Sequence, residues 1–154
     1  AACTSDDPGD PPTSSPHTEP AANRTEHLVN MPTIVYTDAA PQHFTTDLLG
    51  YTFEVEGTPT GYTWDFGDGT VLTTTSPGHA YPDHDVAHPY TRLGTYTITL
   101  TTTYTGRYRL AGDPDCTDVD GTATTTTSAP AITIVEARTR LVTSDCNQNP
   151  TACE

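Results

Sequence analysis

Apolar and polar residues alternate along several short segments of this chain, and a period of two is typical of strands that bury one face. Residues 51–57, YTFEVEG, place three large apolar side chains on one side and threonine and glutamate on the other. Residues 60–66, TGYTWDF, place three aromatic side chains on one side in the same way. The pattern therefore predicts two successive strands, each with an apolar face buried in a core.

Further extended segments follow from the same pattern and from threonine, whose branched side chain suits a pleated, half-exposed surface. The longest is residues 95–105, TYTITLTTTYT, and shorter ones are predicted at residues 33–37, 41–50, 70–75, 130–137 and 139–143. No segment has apolar residues at helical spacing, and none approaches the roughly 18 to 20 apolar residues of a membrane span. The segments predict an all-β chain folded as an antiparallel β-sandwich, without a membrane span.

Residues 67–69, Gly-Asp-Gly, separate two of the predicted strands and indicate a tight hairpin, because such turns need positive φ angles that glycine adopts freely. Asp65 and Asp68 also suggest a metal or phosphate site. A phosphate cradle needs a helix behind its glycines, however, and nothing helical follows. We therefore expect Trp64 to pack in the core and the aspartates to accept backbone N–H bonds in the turn.

Three segments carry a resemblance to a known family, namely WDFGDGT at residues 64–70, HPY at 88–90 and GTYTITLTTT at 94–103. Together they resemble the PKD domain (polycystic-kidney-disease repeat), whose pattern is W-D-F-G-D-G, later H-x-Y, and then G-x-Y-x-V-x-L. The resemblance covers about residues 47–137. It implies an immunoglobulin-like sandwich of extracellular proteins, which acts in protein–protein or protein–carbohydrate contact and is not catalytic.

The resemblance also implies structural roles for the residues of these motifs. Trp64 would lie in the core, and residues 65–69 would form the structural turn. His88 and Tyr90 would brace the start of the long strand, with the Tyr90 hydroxyl bonded to the backbone. The residues that match the family pattern are Trp64, Asp65, Phe66, Gly67, Asp68, Gly69, His88, Tyr90, Gly94 and Tyr96.

The chain is expected to have three parts. Residues 1–46 form an extended, Pro- and Thr-rich N-terminal arm with a possible added strand, since residues 1–30 have too few large apolar side chains to offset the entropy of ordering. Residues 47–137 form the PKD-like sandwich. Residues 138–154 form a C-terminal tail that a disulfide would close.

The cysteines are an even set that fits two disulfides in an oxidising compartment, namely Cys3, Cys116, Cys146 and Cys153. Cys146 and Cys153 are close enough in sequence to close a small C-terminal loop, which would leave Cys3 to fasten the arm to Cys116. Four cysteines allow three pairings, and the sequence does not choose among them. A zinc site is the rival interpretation, but no C-x-x-C pair is present.

Net charge and the first residues bear on location and partners. The chain has six basic and twenty acidic residues and a net charge of −14, which repels the phosphates of nucleic acids and of anionic membranes. The initial AAC suits a secreted product whose signal peptide has been removed. We therefore expect a secreted, extracellular or cell-surface protein that does not bind nucleic acid. Asn23, in NRT, is a candidate for N-glycosylation.

Two inserted loops, residues 76–87 and 107–121, depart from the family pattern, and loops on a rigid scaffold commonly carry function. The first contains several histidines and aspartates, but its prolines argue against the helix that would gather them around a metal. The second contains the candidates for calcium, the one cofactor that the sequence suggests: Asp113, Asp115, Asp118 and Asp120. Their spacing fails the EF-hand pattern, and a solvated acidic loop is the alternative.

Two non-enzymatic functions remain open, because no serine lies in a strand–turn–helix elbow and no catalytic residue stands out. In the first, the protein is a self-assembling subunit of a bacterial surface filament or pilus-like fibre, and its arm adds as a strand to the sandwich of the next copy. The contact residues would be Thr33, Ile34, Val35 and Tyr36. In the second, the protein is a monomeric accessory module that binds glycans or cell-surface proteins through its loops.

Overall fold

The computed structural model describes residues 17–19, by their backbone alone, and residues 25–138. This part of the chain consists of strands joined by turns, and it contains no helix that could cross a membrane. The predicted all-β sandwich is confirmed. The strands are β1 His17–Glu19, β2 Glu26–Leu28, β3 Pro32–Tyr36, β4 Gln42–Leu48, β5 Tyr51–Asp65, β6 Val71–Thr74, β7 Ala87–Pro89, β8 Gly94–Tyr96, β9 Thr99–Leu110, β10 Thr117–Asp118, β11 Ala123–Ser128 and β12 Ile132–Val135.

The strands form three sheets, one of six strands and two of three. In the large sheet β5 and β9 pair antiparallel along almost their whole length, with a shift of register between Pro59 and Gly61. β6 and β11 flank the half of this pair near Asp65, whereas β4 and β10 flank the other half. The small sheets have the orders β1-β3-β7 and β2-β12-β8.

One half of the large sheet shares a core with strands of the small sheets. Trp64 is fully buried there, and alternation along β5 and β9 brings Tyr62 and Leu100 to the same side. The burial predicted for the aromatic face of residues 60–66 is therefore confirmed. The core residues are Val35, Tyr62, Trp64, Phe66, Val86, Tyr90, Ile98, Leu100, Ala129, Ile132 and Ile134.

The other half of the large sheet extends beyond this core. We call it the distal blade, and it consists of β4, residues 51–57 of β5, residues 106–110 of β9, and β10. Three of its side chains, Phe44, Leu48 and Tyr51, are 50–60% exposed. Tyr51 is exposed, and Phe53 and Val55 are only half-buried, so the burial predicted for the apolar face of residues 51–57 is wrong. The large apolar residues that the strand register places on this face are Phe44, Leu48, Tyr51, Phe53, Val55, Tyr108 and Leu110.

The interpretation of residues 33–36 as a strand for the next copy is wrong. β3 pairs with β1 on one side and with β7 on the other, so both of its edges are used within this chain. Thr33 and Val35 are buried, and Ile34 and Tyr36 alternate with them. The extended arm also does not include residues 26–46, which contain β2, β3 and most of β4. The alternation in this segment reflects burial in the chain's own core.

The sequence pattern did not predict the short strands β1, β2, β7 and β10 or the longer β11, and one prediction lies outside the described residues. β11, ATTTTS, pairs with β9 from Thr99 to Tyr104. Because it is nearly all threonine, it shows no alternation of apolar and polar residues. The strand predicted at 139–143 lies outside the described residues, as do residues 144–154 of the tail.

Candidate functional site

The Gly-Asp-Gly segment joins β5 to β6 as a hairpin turn. Gly67 and Gly69 have φ angles of 76° and 95°, which side chains other than glycine rarely adopt. The Asp65 carboxylate accepts the N–H of Gly67 at 2.9 Å, and the Asp68 carboxylate accepts the N–H of Thr70 at 2.9 Å. Both aspartates therefore hold the backbone of the turn, as expected from the sequence.

His88 connects this turn to the segment that contains Tyr90. The His88 Nε2 atom lies 2.7 Å from a carboxylate oxygen of Asp68, and the His88 ring stacks on Phe66 with ring centres 4.4 Å apart. Tyr90 is fully buried and donates its hydroxyl to the carbonyl of Phe66 at 2.9 Å. The bracing contacts that the resemblance implied for His88 and Tyr90 are therefore present.

Tyr96 completes this structural cluster from β8, which begins at Gly94 and ends at Tyr96. The Tyr96 ring stacks on Tyr90 with ring centres 4.7 Å apart, and its hydroxyl donates to the Arg92 carbonyl at 3.2 Å. Burial, with the nearby Asp68 charge as a second cause, raises the pKa of Tyr90 far above its ordinary value. The Tyr90 hydroxyl therefore stays protonated and available as a donor.

The Asp68 carboxylate makes the stability of this cluster depend on pH. Burial alone would raise the pKa of Asp68, but hydrogen bonds from His88 and Thr70 outweigh burial and lower it. In the unfolded chain the ordinary pKa of 3.8 applies. The carboxylate therefore stabilises the fold above that pH, and this stabilisation is lost as the pH falls through the lower folded pKa.

Asp68→Asn is accordingly expected to lower the free energy of unfolding by about 1–2 kcal/mol at neutral pH, because a hydrogen bond to a charged acceptor is replaced by a weaker one. The difference from wild type should shrink as the pH falls below the ordinary carboxyl pKa of 3.8 and vanish below the lowered folded pKa. Urea unfolding at a series of pH values measures it, with the exposed Asp120→Asn as control. A difference that persists unchanged in strong acid would show that the Asp68 charge is not its source.

The four aspartates between residues 113 and 120 do not form the expected calcium site. Asp118 pairs with Arg107 at 3.0 Å across β10 and β9. Asp113 accepts the N–H of Asp115 at 3.1 Å in the loop before β10. Within the described ranges, no group of three or more His, Cys, Asp or Glu side chains is arranged to hold a metal ion. The Asp113 carboxylate caps a turn and the Asp118 carboxylate pairs with arginine, so these two are directed to separate partners.

The histidines of the loop at residues 76–87 also have separate partners. His79 Nδ1 lies 3.0 Å from the carboxylate of Asp85, and His84 Nδ1 lies 3.3 Å from the carbonyl oxygen of Pro82. This loop therefore does not gather its histidines as metal ligands.

Cys116 lies in the loop between β9 and β10 and is disulfide-bonded. A disulfide sulfur is not a zinc thiolate, so the zinc interpretation does not apply to Cys116. The pairing of Cys3 with Cys116 and of Cys146 with Cys153 stays a prediction. The residues outside the described ranges include Cys3, Cys146, Cys153 and the candidate glycosylation residue Asn23.

The distal blade carries a candidate binding site that the sequence did not reveal, an apolar groove of about 280 Å³. Gly57 and Gly106 pair directly across β5 and β9, and the Val119 side chain packs over Gly106, 3.3 Å from where a Cβ would lie. No sequence signal marked this site, because it depends on which residue of β9 lies opposite Gly57. The side chains around the two glycines include Phe44, Val55, Tyr104 and Val119.

Comparison with known protein families matches the PKD domain to residues 27–105, just over half of the 154 residues. The match begins in β2 and ends in β9, so it includes the hairpin turn, His88 and Tyr90. Searches of curated proteins and of solved structures give no significant match. The geometry of the motif residues and the family match agree, and the chain belongs to the PKD domain family.

Proposed function

We propose that this chain is a non-enzymatic structural subunit that acts outside the cell and assembles with copies of itself into a surface filament or pilus-like fibre. Membership of the PKD family supports the general part of this proposal, since PKD domains are non-catalytic structural modules that are typically extracellular. The disulfide at Cys116 fits the same location, because disulfides persist in oxidising compartments.

The observation that carries the proposal is the uncovered apolar face of the distal blade. β4 and residues 51–57 have seven residues each, residues 106–110 have five and β10 has two, so at the usual strand spacing and rise the blade presents a face of about 330 Å². Exposed apolar patches of this size commonly mark contact surfaces. The blade is a hydrogen-bonded sheet, so it can present this face to another protein with little loss of conformational freedom.

A monomeric accessory module is the second candidate, with the groove over Gly57 and Gly106 as its binding site. The walls of this groove are apolar side chains such as Phe44 and Val55. A glycan needs polar groups that hydrogen-bond its hydroxyls, whereas an apolar groove suits an apolar side chain of a protein. Self-association is therefore better supported than binding of glycans.

Sedimentation velocity of the full, disulfide-bonded chain over a range of concentrations tests the proposal, with negative-stain electron microscopy of the same samples. We expect species larger than the 16.4 kDa monomer, and fibres where assembly proceeds further. A chain that stays monomeric at every concentration would contradict the proposal. Binding on a glycan array would then favour the accessory module.

The role of the N-terminal arm in assembly is tested by removing residues 1–16 only, because β2 and β3 belong to the folded domain. Removing residues 1–16 leaves every described strand in place. The truncation also removes Cys3, the predicted partner of Cys116, so Cys116 is replaced by serine in the truncated protein and both cysteines are replaced by serine in a full-length control. If the arm links copies, the truncated protein should give shorter fibres than this control or none. Fibres of unchanged length would remove the arm from the proposal but leave self-association standing.

A further inference from the structure

We propose that the apolar face of the distal blade binds the same face of a second copy, in an antiparallel face-to-face dimer in which the hairpin tip of each copy occupies the groove of the other. The tip is residues 48–51, which join β4 to β5. The groove is the cavity over Gly57 and Gly106. This inference rests on the proposed self-assembly and names the surface that makes one of its contacts.

The remainder of the chain has too few apolar side chains to cover this face. The residues outside the described ranges contain two large aliphatic side chains, Leu141 and Val142, and no aromatic residue. The face itself presents seven large apolar side chains. An apolar surface of similar size that covers this face therefore has to come from outside these 154 residues.

Charge favours a second copy as the source of that surface. The register puts the charged side chains of the blade strands on the opposite face, where Glu54 pairs with Arg109 and Arg107 pairs with Asp118. The strand residues of two apolar faces can therefore meet without burying a charge, which would be costly, and Asp120 is a charged loop residue beside the groove. A charged partner would find no opposite charge among the described strand residues of the apolar face. The net charge of −14 opposes association at long range, but salt screens it beyond about 10 Å.

The hairpin tip has the shape and exposure that the groove requires. Leu49 is 90% exposed, and it has a positive φ like Gly50, so the turn presents its side chain to solvent. The groove of about 280 Å³ has room for a large apolar side chain, since Gly57 has no side chain to fill it, and Val119, which covers Gly106, adds an apolar wall. An exposed leucine and an apolar cavity have the complementarity of an anchor residue and its pocket.

The positions of the tip and the groove suit a two-fold axis. They lie about 20 Å apart along β5, as the rise of a strand implies. When two blades face each other in antiparallel orientation, an axis midway between tip and groove brings each tip over the other groove. Both contacts then form at once, and the dimer closes. A fibre needs a second contact, and the removal of residues 1–16 tests whether the N-terminal arm makes it.

Two substitutions break the contact from opposite sides, and sedimentation equilibrium of the full chain measures the dissociation constant. Gly57→Leu fills the groove, and a Cβ at this position meets the Tyr104 ring at 3.7 Å and the Gln42 carbonyl at 3.9 Å, which are ordinary contacts. Leu49→Asp places a charge on the tip, and aspartate tolerates positive φ better than leucine does. Each is expected to weaken dimerisation by at least about 30-fold, as loss of an anchor residue does.

Mixing the two variants tests the pairing of tip with groove. Each variant alone forms dimers in which both tip–groove contacts are broken. A mixed dimer keeps one contact, between the Leu49 tip of the Gly57→Leu copy and the open groove of the Leu49→Asp copy. An equimolar mixture with one variant fluorescently labelled is therefore expected to bind roughly tenfold more tightly than either variant binds itself. No gain on mixing would overturn the pairing.

Two controls make the same types of substitution, Gly→Leu and Leu→Asp, at positions outside the proposed contact. Gly61→Leu lies on β5 but on its other face, and Leu93→Asp replaces an exposed leucine outside the blade. Both should dimerise like wild type, and heat unfolding checks that every variant folds. Because Leu49 lies in an exposed turn, Leu49→Asp is expected to fold. Its dissociation constant therefore tests the contact of the tip even if Gly57→Leu does not fold.

The outcomes separate this inference from the proposed function. The interface is at the small end of specific interfaces, so the wild-type dimer is expected to be weak and is measured up to about 500 µM chain. A wild-type chain that stays monomeric throughout overturns both the inference and the proposed self-assembly. A wild-type chain that associates, with Gly57→Leu and Leu49→Asp associating equally well, overturns the inference alone.

Discussion

Gly67→Ala is expected to lower the free energy of unfolding by about 2–4 kcal/mol. The φ angle of Gly67 is 76°, where a Cβ adds strain of about 1–2 kcal/mol. An alanine Cβ would also lie 2.7 Å from the carbonyl oxygen of Thr97 and 3.2 Å from its nitrogen. Both are backbone atoms that cannot rotate away, so the hairpin turn would have to move from the segment between β8 and β9.

Gly69→Ala is the matched control for this prediction. Gly69 has a φ angle of 95°, but a Cβ there would meet no heavy atom within 4 Å. Gly69→Ala should therefore lower the free energy of unfolding by the backbone strain alone, about 1–2 kcal/mol. Urea unfolding followed by the fluorescence of Trp64, the one tryptophan of the chain, measures both variants. Equal losses would mean that the approach to Thr97 is not what requires glycine at position 67.

The hairpin turn was predictable from the sequence because its determinants are local. Asp65, Gly67, Asp68 and Gly69 act on a backbone segment of a few residues, and short carboxylates and glycines have known roles in such turns. His88 is different, since it contacts Asp68 from 20 residues away. Its role could be inferred from the family resemblance, but not from the physical chemistry of the neighbouring residues.

The distal blade was not predictable, because the same local pattern has two outcomes. Residues 51–57 and 60–66 have the same alternation, but only the second segment faces strands of a small sheet. Coverage of an apolar face depends on where distant strands lie, and alternation contains no information on that. The groove depends likewise on the register that places Gly57 opposite Gly106.

The predictions for residues 33–36 and for the acidic loop were wrong for a related reason. The alternation of β3 correctly indicated a strand, but the identity of its neighbours, β1 and β7, is a matter of topology. In the acidic loop, the nearness of the aspartates in sequence suggested a common ligand. Arg107 lies opposite Asp118 in the strand pair and takes one carboxylate instead. In both cases the types of residue indicated the local structure or chemistry, but they did not indicate the contact partner.

These differences bear on where the function of this chain lies. The motif residues that define the family contact one another. Asp68 pairs with His88, and the Tyr90 hydroxyl donates to the Phe66 carbonyl. A side chain that is committed to internal contacts is a poor recognition element. The apolar face of the distal blade has no such commitment among the described residues. We therefore expect variation in the blade to alter assembly and variation in the motif to alter stability.

Tyr90→Phe is expected to lower the free energy of unfolding by about 1–3 kcal/mol, because it leaves a buried carbonyl without its hydrogen bond. The Tyr90 hydroxyl donates to the Phe66 carbonyl at 2.9 Å, and both residues are buried in the core. Tyr96→Phe is the control, since the Tyr96 hydroxyl donates to the Arg92 carbonyl at 3.2 Å in an exposed position. Water can replace that bond, so Tyr96→Phe should change stability by less than about 0.5 kcal/mol.

Combining Tyr90→Phe with Gly67→Ala then tests whether the hydroxyl acts on the hairpin turn. Phe66, whose carbonyl accepts the hydroxyl, directly precedes Gly67, so both substitutions disturb the same short segment. Once alanine has displaced the turn, the bond to Tyr90 is already weakened, and the double variant should lose less stability than the sum of the single losses. Urea unfolding of the four proteins measures this coupling, which we expect to be about 1 kcal/mol. Strictly additive losses would show that Tyr90 stabilises the core without fixing the turn.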